Sequence, residues 1–223
     1  MNLDELKEKH FQDNYLFNPE GYGRIYAFVD FGNVRHWAKH FWPTENTEHL
    51  VKEVDIRKLG EIIDFIHPVK KYFYYGHFAP HPGVGDHYMV NIRHKGSLGR
   101  LIKAEKCGFV KRTKEVKEIS NFDEEGKYVG KISKCNFDVE IAMDVILELE
   151  NYDTILLWSG DSDFYRLLQH LKLKRKKVIV VCARDFMSRE LDEISDLYIP
   201  ADVFKDHLEF IKPVQQATLP LTP

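Results

Sequence analysis

The apolar runs of this chain are short and widely spaced, and that spacing limits its fold more than any other feature. Residues 25–29, 154–158 and 178–181 form near-continuous apolar stretches of strand length, bounded by polar residues. Such runs suit strands buried on both faces, as in a parallel sheet covered by helices. Between them lie segments of helical periodicity. Ile56, Leu59, Ile62, Ile63 and Ile66 recur at helical spacing, and Asp55 stands where an N-cap is needed. Further helices are predicted over about 34–41, 86–106, 136–150, 164–173 and 188–194. Further strands are predicted over about 69–75, 109–113 and 197–199. Strands alternating with helices predict an α/β fold, a Rossmann-like three-layer sandwich with a mostly parallel central sheet. In such sheets ligands bind beyond the carboxyl ends of the strands, so the residues just after each strand are the ones to inspect.

Residues 1–22 read as a polar lead-in, 23–200 as the main domain, and 201–223 as a C-terminal helix and mobile tail. Within the domain, glycines and prolines mark a loop over 76–86, and 114–134 suits a polar excursion or β-ribbon. With 43% hydrophobic and 30% charged residues, the 223-residue chain can bury a sizeable core. Its formal charge of −3 excludes a histone-like basic protein but not a local basic groove. The longest apolar runs fall well short of the roughly 20 residues that span a bilayer, so no membrane partner is expected. The first fourteen residues lack the apolar stretch of a secretory signal. The three cysteines, Cys107, Cys135 and Cys182, form no CxxC pair. Neither a disulfide framework nor a zinc ribbon is implied, and a cytoplasmic location is expected.

Asp30 directly follows the first strand, and Asp161 and Asp163 directly follow the strand at 154–158. A parallel sheet brings all three to one edge. Helix capping is the plainer reading of any one of them, but capping alone is a poor account of three. Asp138 adds to the set. At 100° per residue, Ile141, Ala142, Val145, Ile146 and Leu149 form one apolar stripe and Asp138 falls inside it. Glu140, Asp144 and Glu148 fall on the other side, which turns Asp144 outward. An inward carboxylate needs a partner: a divalent cation, Lys134, an arginine, or water at the helix edge. Four carboxylates suit Mg²⁺ or Mn²⁺ better than Zn²⁺. Phosphate is the substrate group such ions bridge most naturally. Without a cation, at least one carboxylate pKa should be raised.

VDFGN at 29–33, KCNFDVEIAMD at 134–144 and LWSGDSDFYRLL at 157–168 together resemble the three motifs of NYN domains, in the LabA-like branch of the PIN-like nuclease superfamily. VDIRKL from Val54 and KKVIVV from Lys176 extend the likeness from about Arg24 to Ile199. The resemblance implies a PIN-like fold and an Mg²⁺- or Mn²⁺-dependent ribonuclease whose metals lie at Asp30, Asp138, Asp161 and Asp163. It implies a polar ligand or water positioner at Asn33, which is equally read as a turn residue beside Gly32. Ser159 either orients a carboxylate or shapes the turn, and Asp144 and Lys134 rank below the four aspartates. There is one departure: Cys135 stands where similar sequences carry glycine. A positive φ there would strain it.

Residues 95–134 hold eleven Lys/Arg against six Asp/Glu, which suits contact with a polyanion or simply a solvated face. Lys103, Lys106, Lys111, Arg112 and Lys114 are the candidate phosphate contacts. A second basic cluster at 172–177 reads as an ordinary helix C-terminus. Tyr75, His77 and Phe78 are candidates for an exposed rim on which bases stack, while most aromatics of 72–75 read as packing. The expected partner is RNA, single-stranded RNA favoured. DNA stays open, because nothing identifies a reader of the 2′-hydroxyl, and assembly as a homodimer is also left open. A non-catalytic RNA-binding or regulatory module on the same fold is the main alternative. A haloacid-dehalogenase-type phosphatase would need a second Asp two residues after Asp30, where this chain has Gly32.

Overall fold

A computed structural model of the protein describes residues 19–43, 50–80 and 87–213. β1 (Ile25–Asp30) is buried at every position, as a strand covered on both faces must be. It runs directly into two short helices, α1 (Phe31–Val34) and α2 (Trp37–Phe41). One helix is predicted over 34–41. The chain instead tightens at an i→i+3 bond, His36 N–H to Asn33 O at 2.9 Å, and carries Val34, Trp37 and Phe41 into the core.

The remaining elements follow in order: β2 (Leu50–Val54), α3 (Ile56–Asp64), β3 (Lys70–Tyr74), α4 (His87–Lys106), β4 (Val110–Arg112), β5 (Lys117–Phe122), β6 (Tyr128–Lys134) and α5 (Asp138–Leu147). Then come β7 (Thr154–Trp158), α6 (Tyr165–Leu173), β8 (Lys177–Cys182), α7 (Arg189–Ile194), β9 (Leu197–Pro200), α8 (Lys205–Leu208) and β10 (Glu209–Pro213). Asp55 caps α3 as its position predicts: its carboxylate accepts from the N–H groups of Arg57 at 2.8 Å and Lys58 at 3.2 Å.

Six parallel strands form the central sheet in the order β4-β3-β1-β7-β8-β9. With helices on both faces, this is the three-layer α/β fold that the alternation predicts. The chain builds outward from β1 through β3 to β4, then returns to β7 on the other side of β1. That reversal puts a topological switch point, and a crevice, at the carboxyl ends of β1 and β7. β3 fills both layers by alternation. On one face Tyr72 stacks on Phe28 at 5.2 Å between ring centroids. On the other, Phe73 meets Phe31 at 4.7 Å and Phe109 at 5.6 Å. Each such buried ring stabilises the fold by about 1.5–3 kcal/mol over an exposed one.

The excursion at 114–134 is the antiparallel β5–β6 hairpin, with Ile119 opposite Ile132, outside the central sheet. β2 pairs antiparallel with β10, a ribbon that the sequence does not predict. Residues 209–213 fall where a C-terminal helix is expected, but α8 spans four residues and the chain then becomes a strand. Its partner lies far away in sequence, so no local periodicity announces the pairing. The lead-in over 1–18, part of the glycine–proline loop (81–86) and the predicted tail from 214 lie outside the described residues. Among the described residues no helix is long and apolar enough to cross a membrane.

Candidate metal centre

The turn after β7 is built by its own polar side chains. Ser159 is fully buried, and its hydroxyl accepts the N–H of Asp161 at 3.3 Å. Asp161 in turn accepts the N–H of Asp163 at 3.1 Å. Gly160 between them passes so close to the neighbouring loop that a Cβ would run into the Phe186 carbonyl and the Cys182 sulfur. Ser159 therefore shapes the turn that presents both aspartates. On the adjacent strand, Asp30 ends β1 with 8% of its surface exposed, and its Oδ1 accepts the N–H of Asn33 at 3.2 Å. A Cβ on Gly32 would stand 3.0 Å from that same oxygen. Asp138 opens α5, its N–H held by Asn136 Oδ1 at 2.7 Å.

Carboxylate oxygens of Asp138, Asp161 and Asp163 lie within 4.8 Å of one another. Asp138 and Asp161 are half-buried and Asp163 is exposed. Asp30 stands outside this three-oxygen group, but it lines the same cavity of about 280 Å³ as Asp138 and Asp161. It is the most buried of the four. Burial pushes the Asp30 pKa up to about 7, and the charges of Asp138 and Asp161 add to the rise; the N–H of Asn33 pulls the other way. Asp138 is raised as well, first by burial and then by the charges of Asp161 and Asp163. Among the described residues, no lysine, arginine or histidine forms an ion pair with any of the four. No Cys or His joins the oxygen cluster among those residues either. An all-oxygen donor set with uncompensated negative charge suits a hard divalent cation, and the residues present fit such an ion.

Asn33 serves the turn: besides its N–H to Asp30, its side-chain oxygen accepts from the Trp37 indole at 3.2 Å, and it lines the cavity. Lys134 ends β6 with an exposed side chain. Cys135 needs no strained backbone, because His67 and Arg175 are the non-glycine residues with positive φ among those described. Its half-buried thiol packs against Gly76, where a Cβ would come within 2.7 Å of the sulfur.

Two expectations are corrected. Asp144 does not turn outward. Its carboxylate accepts from the Tyr74 hydroxyl at 2.8 Å and from two nitrogens of Arg112 at 2.8 and 3.2 Å. Tyr74 and Arg112 are register partners on β3 and β4. They offer α5 a polar seat that a helical wheel cannot foresee, and Ile146 is left 47% exposed instead of packed. Arg112, expected on phosphate, is committed to that pair. The second correction is Tyr75, which is 5% exposed and packs edge-on to Phe31, so it is core and not a stacking rim. His77 is half-buried, with Nδ1 at 2.8 Å from Thr113 Oγ1. Lys111 pairs with Glu105, Lys114 pairs with Glu140, and Lys103 lies over the Phe210 ring. Lys106 is exposed. Arg35, which no sequence motif singles out, lines the cavity together with His36. Their position just past β1, on the strand-end edge, is the signal that could have found them.

The NYN domain family model matches residues 24–202. The protein named low amplitude and bright protein LabA, from Synechococcus elongatus, is 33% identical over 102 residues. That match covers 46% of this chain and 53% of the relative, about half of its length. The crystal structure of a protein of unknown function from Vibrio parahaemolyticus superposes with a TM-score of 0.57 at 19% identity. It covers 87% of this chain and 100% of that chain, a likeness of fold.

Proposed function

This chain belongs to the NYN domain family, and from that premise we propose that it is a metal-dependent nuclease hydrolysing phosphodiester bonds of RNA, single-stranded RNA favoured. One observation carries the reading. Three carboxylates converge within 4.8 Å at the strand-end crevice, a fourth lies beside them, and no cation among the described residues compensates them. Asp138, Asp161 and Asp163 would hold Mg²⁺ or Mn²⁺. When bound, such an ion screens the phosphoryl charge, polarises its oxygen and activates water. A cation held there would favour the ionised form of Asp30, which lines the same cavity beside the three. The Asn33 N–H fixes the Asp30 carboxylate, and Ser159 fixes the turn that presents Asp161.

The test is cleavage of a labelled single-stranded oligoribonucleotide with Mn²⁺, with EDTA, and by Asp161→Asn and Asp163→Asn, beside the DNA oligonucleotide of the same sequence. The expected result is Mn²⁺-dependent cleavage that both substitutions abolish while thermal melting stays near that of the wild type. Cleavage that persists in the purified variants would falsify the assignment. RNA retained without cleavage under any divalent metal would mark a binding module instead.

A further inference from the structure

The acidic cavity has a basic neighbour. A second cavity of about 250 Å³ is lined by Arg35, His36, Lys39, Lys52, Glu53 and Arg100 among others. Arg35 and His36 line both cavities, so the two meet at these residues. Some of the charge in the second cavity is already matched: Arg100 pairs with Glu53 at 2.9 Å and Lys52 with Glu209 at 3.1 Å. Arg35 and Lys39 have no carboxylate partner among the described residues. Arg35 is nevertheless held in place. Its Nη1 donates to the Tyr75 hydroxyl at 3.2 Å, and its guanidinium lies 6.0 Å from the centroid of that ring. The Arg100 guanidinium lies 5.9 Å from the same centroid. A neutral phenol orients Arg35 without neutralising it, which leaves most of its N–H donors for an anion. The His36 imidazole pKa is lowered, chiefly by burial and then by the charges of Arg35 and Lys39.

We propose that this second cavity is a phosphate subsite, in which Arg35 and Lys39 hold a backbone phosphate next to the one presented to Asp138, Asp161 and Asp163. The inference rests on the nuclease reading and deepens it. Negative oxygens cluster where a cation is wanted, and unpaired cations sit one cavity away where the chain of an oligonucleotide must continue. A planar guanidinium suits phosphate because it can donate two parallel N–H bonds to it. The subsite requires a substrate carrying a phosphate beyond the scissile one, and it draws the strand along the two short helices that follow β1.

The test is fluorescence anisotropy of a labelled oligouridylate of about a dozen nucleotides, in EDTA so that nothing is cleaved, over a range of salt. Arg35→Ala combined with Lys39→Ala is expected to weaken binding roughly tenfold. It should also lower the slope of log affinity against log salt by about 0.7 for each phosphate that is no longer neutralised. Arg35→Lys should recover part of the affinity. Lys174→Ala, on an exposed residue at the opposite edge of the sheet, should change neither quantity. Thermal melting should fall by a few degrees at most, since Arg35 and Lys39 are both exposed and Arg35 gives up one hydrogen bond to Tyr75. If the double variant binds with wild-type affinity and slope, or the wild type does not bind, the subsite is overturned. Mn²⁺-dependent cleavage that Asp161→Asn abolishes would still stand in that case. Binding that depends on Arg35 and Lys39 without cleavage under any metal would uphold the subsite and overturn the nuclease reading.

Discussion

Replacing Asp30 with asparagine is expected to stabilise the metal-free protein at mildly alkaline pH and to leave its stability unchanged in acid. Asp30 is 8% exposed, and its folded pKa stands at about 7 against an ordinary value of 3.8, chiefly through burial. Between those values the folded chain keeps a proton that the unfolded chain has lost. Stability therefore falls as pH rises through that window. Above it, the ionised carboxylate carries a penalty of about 4 kcal/mol. Asparagine has the same shape and keeps an oxygen for the Asn33 N–H, so Asp30→Asn removes the charge without opening a hole. In EDTA near pH 8 the variant should melt roughly 10 °C above the wild type, with the gap closing by about pH 4. Urea titrations across the same series should reproduce the gap in free energy. Added Mn²⁺ should stabilise the wild type more than the variant and narrow the gap. Equal stabilities at pH 8, or a gap that stays constant from pH 4 to pH 8, would refute the argument that an uncompensated buried carboxylate weakens the fold here.

Gly160→Ala should cost at least about 1–3 kcal/mol by urea unfolding, because the added Cβ runs into the Phe186 carbonyl and the Cys182 sulfur. Arg112→Ala should cost about 1–2 kcal/mol by leaving Asp144 without its cation, a figure reduced because the arginine is 42% exposed. Tyr74→Phe should cost about 1 kcal/mol through the lost hydroxyl bond to Asp144. Both substitutions should leave the salt slope of RNA binding unchanged, which separates Arg112 from the nucleic-acid contacts. Asp138→Asn should weaken Mn²⁺ binding by roughly tenfold or more in calorimetry, through the loss of one of three clustered carboxylates.

How far the sequence alone reaches follows from where the information sits. Burial on both faces leaves a continuous apolar run, so β1, β7 and β8 are legible, and with them the edge to which Asp30, Asp161 and Asp163 are delivered. Helical phase places Asp138 on the inward side but fails about two turns later at Asp144 and Ile146. Phase arithmetic knows one apolar face, whereas α5 also rests on the Tyr74 hydroxyl and the Arg112 guanidinium, two polar groups contributed by separate strands. Tyr75 reads as rim because it ends an aromatic strand. Its burial depends on Phe31 and Arg35, which reach it from the segment after β1. The β2–β10 pairing joins segments far apart in the described chain and leaves no local trace.

The acids of α5 and its C-cap show why the cluster is more than an accident of crowding. Glu140 is met by Lys114 at 2.6 Å, Asp144 by Arg112 at 2.8 Å, and Glu148 by Lys70 at 2.6 Å. The Lys70 bond, with help from the Tyr72 hydroxyl and the Asn151 amide, holds Glu148 down to about 2. Only Asp138, at the end of the helix that faces the switch point, has no cation among the described residues, and its neighbours are two further carboxylates. Basic residues are not scarce in a chain with 32 Lys and Arg, and Lys134 stands four positions before Asp138. A fold that supplies a partner to each acid along one helix face and none to the acid at its mouth concentrates negative potential at a single point. That point coincides with the strand-end crevice where an α/β sheet binds its ligand. An arrangement that lowers stability locally while the rest of the helix is well paired is most simply explained by a ligand that supplies the missing positive charge.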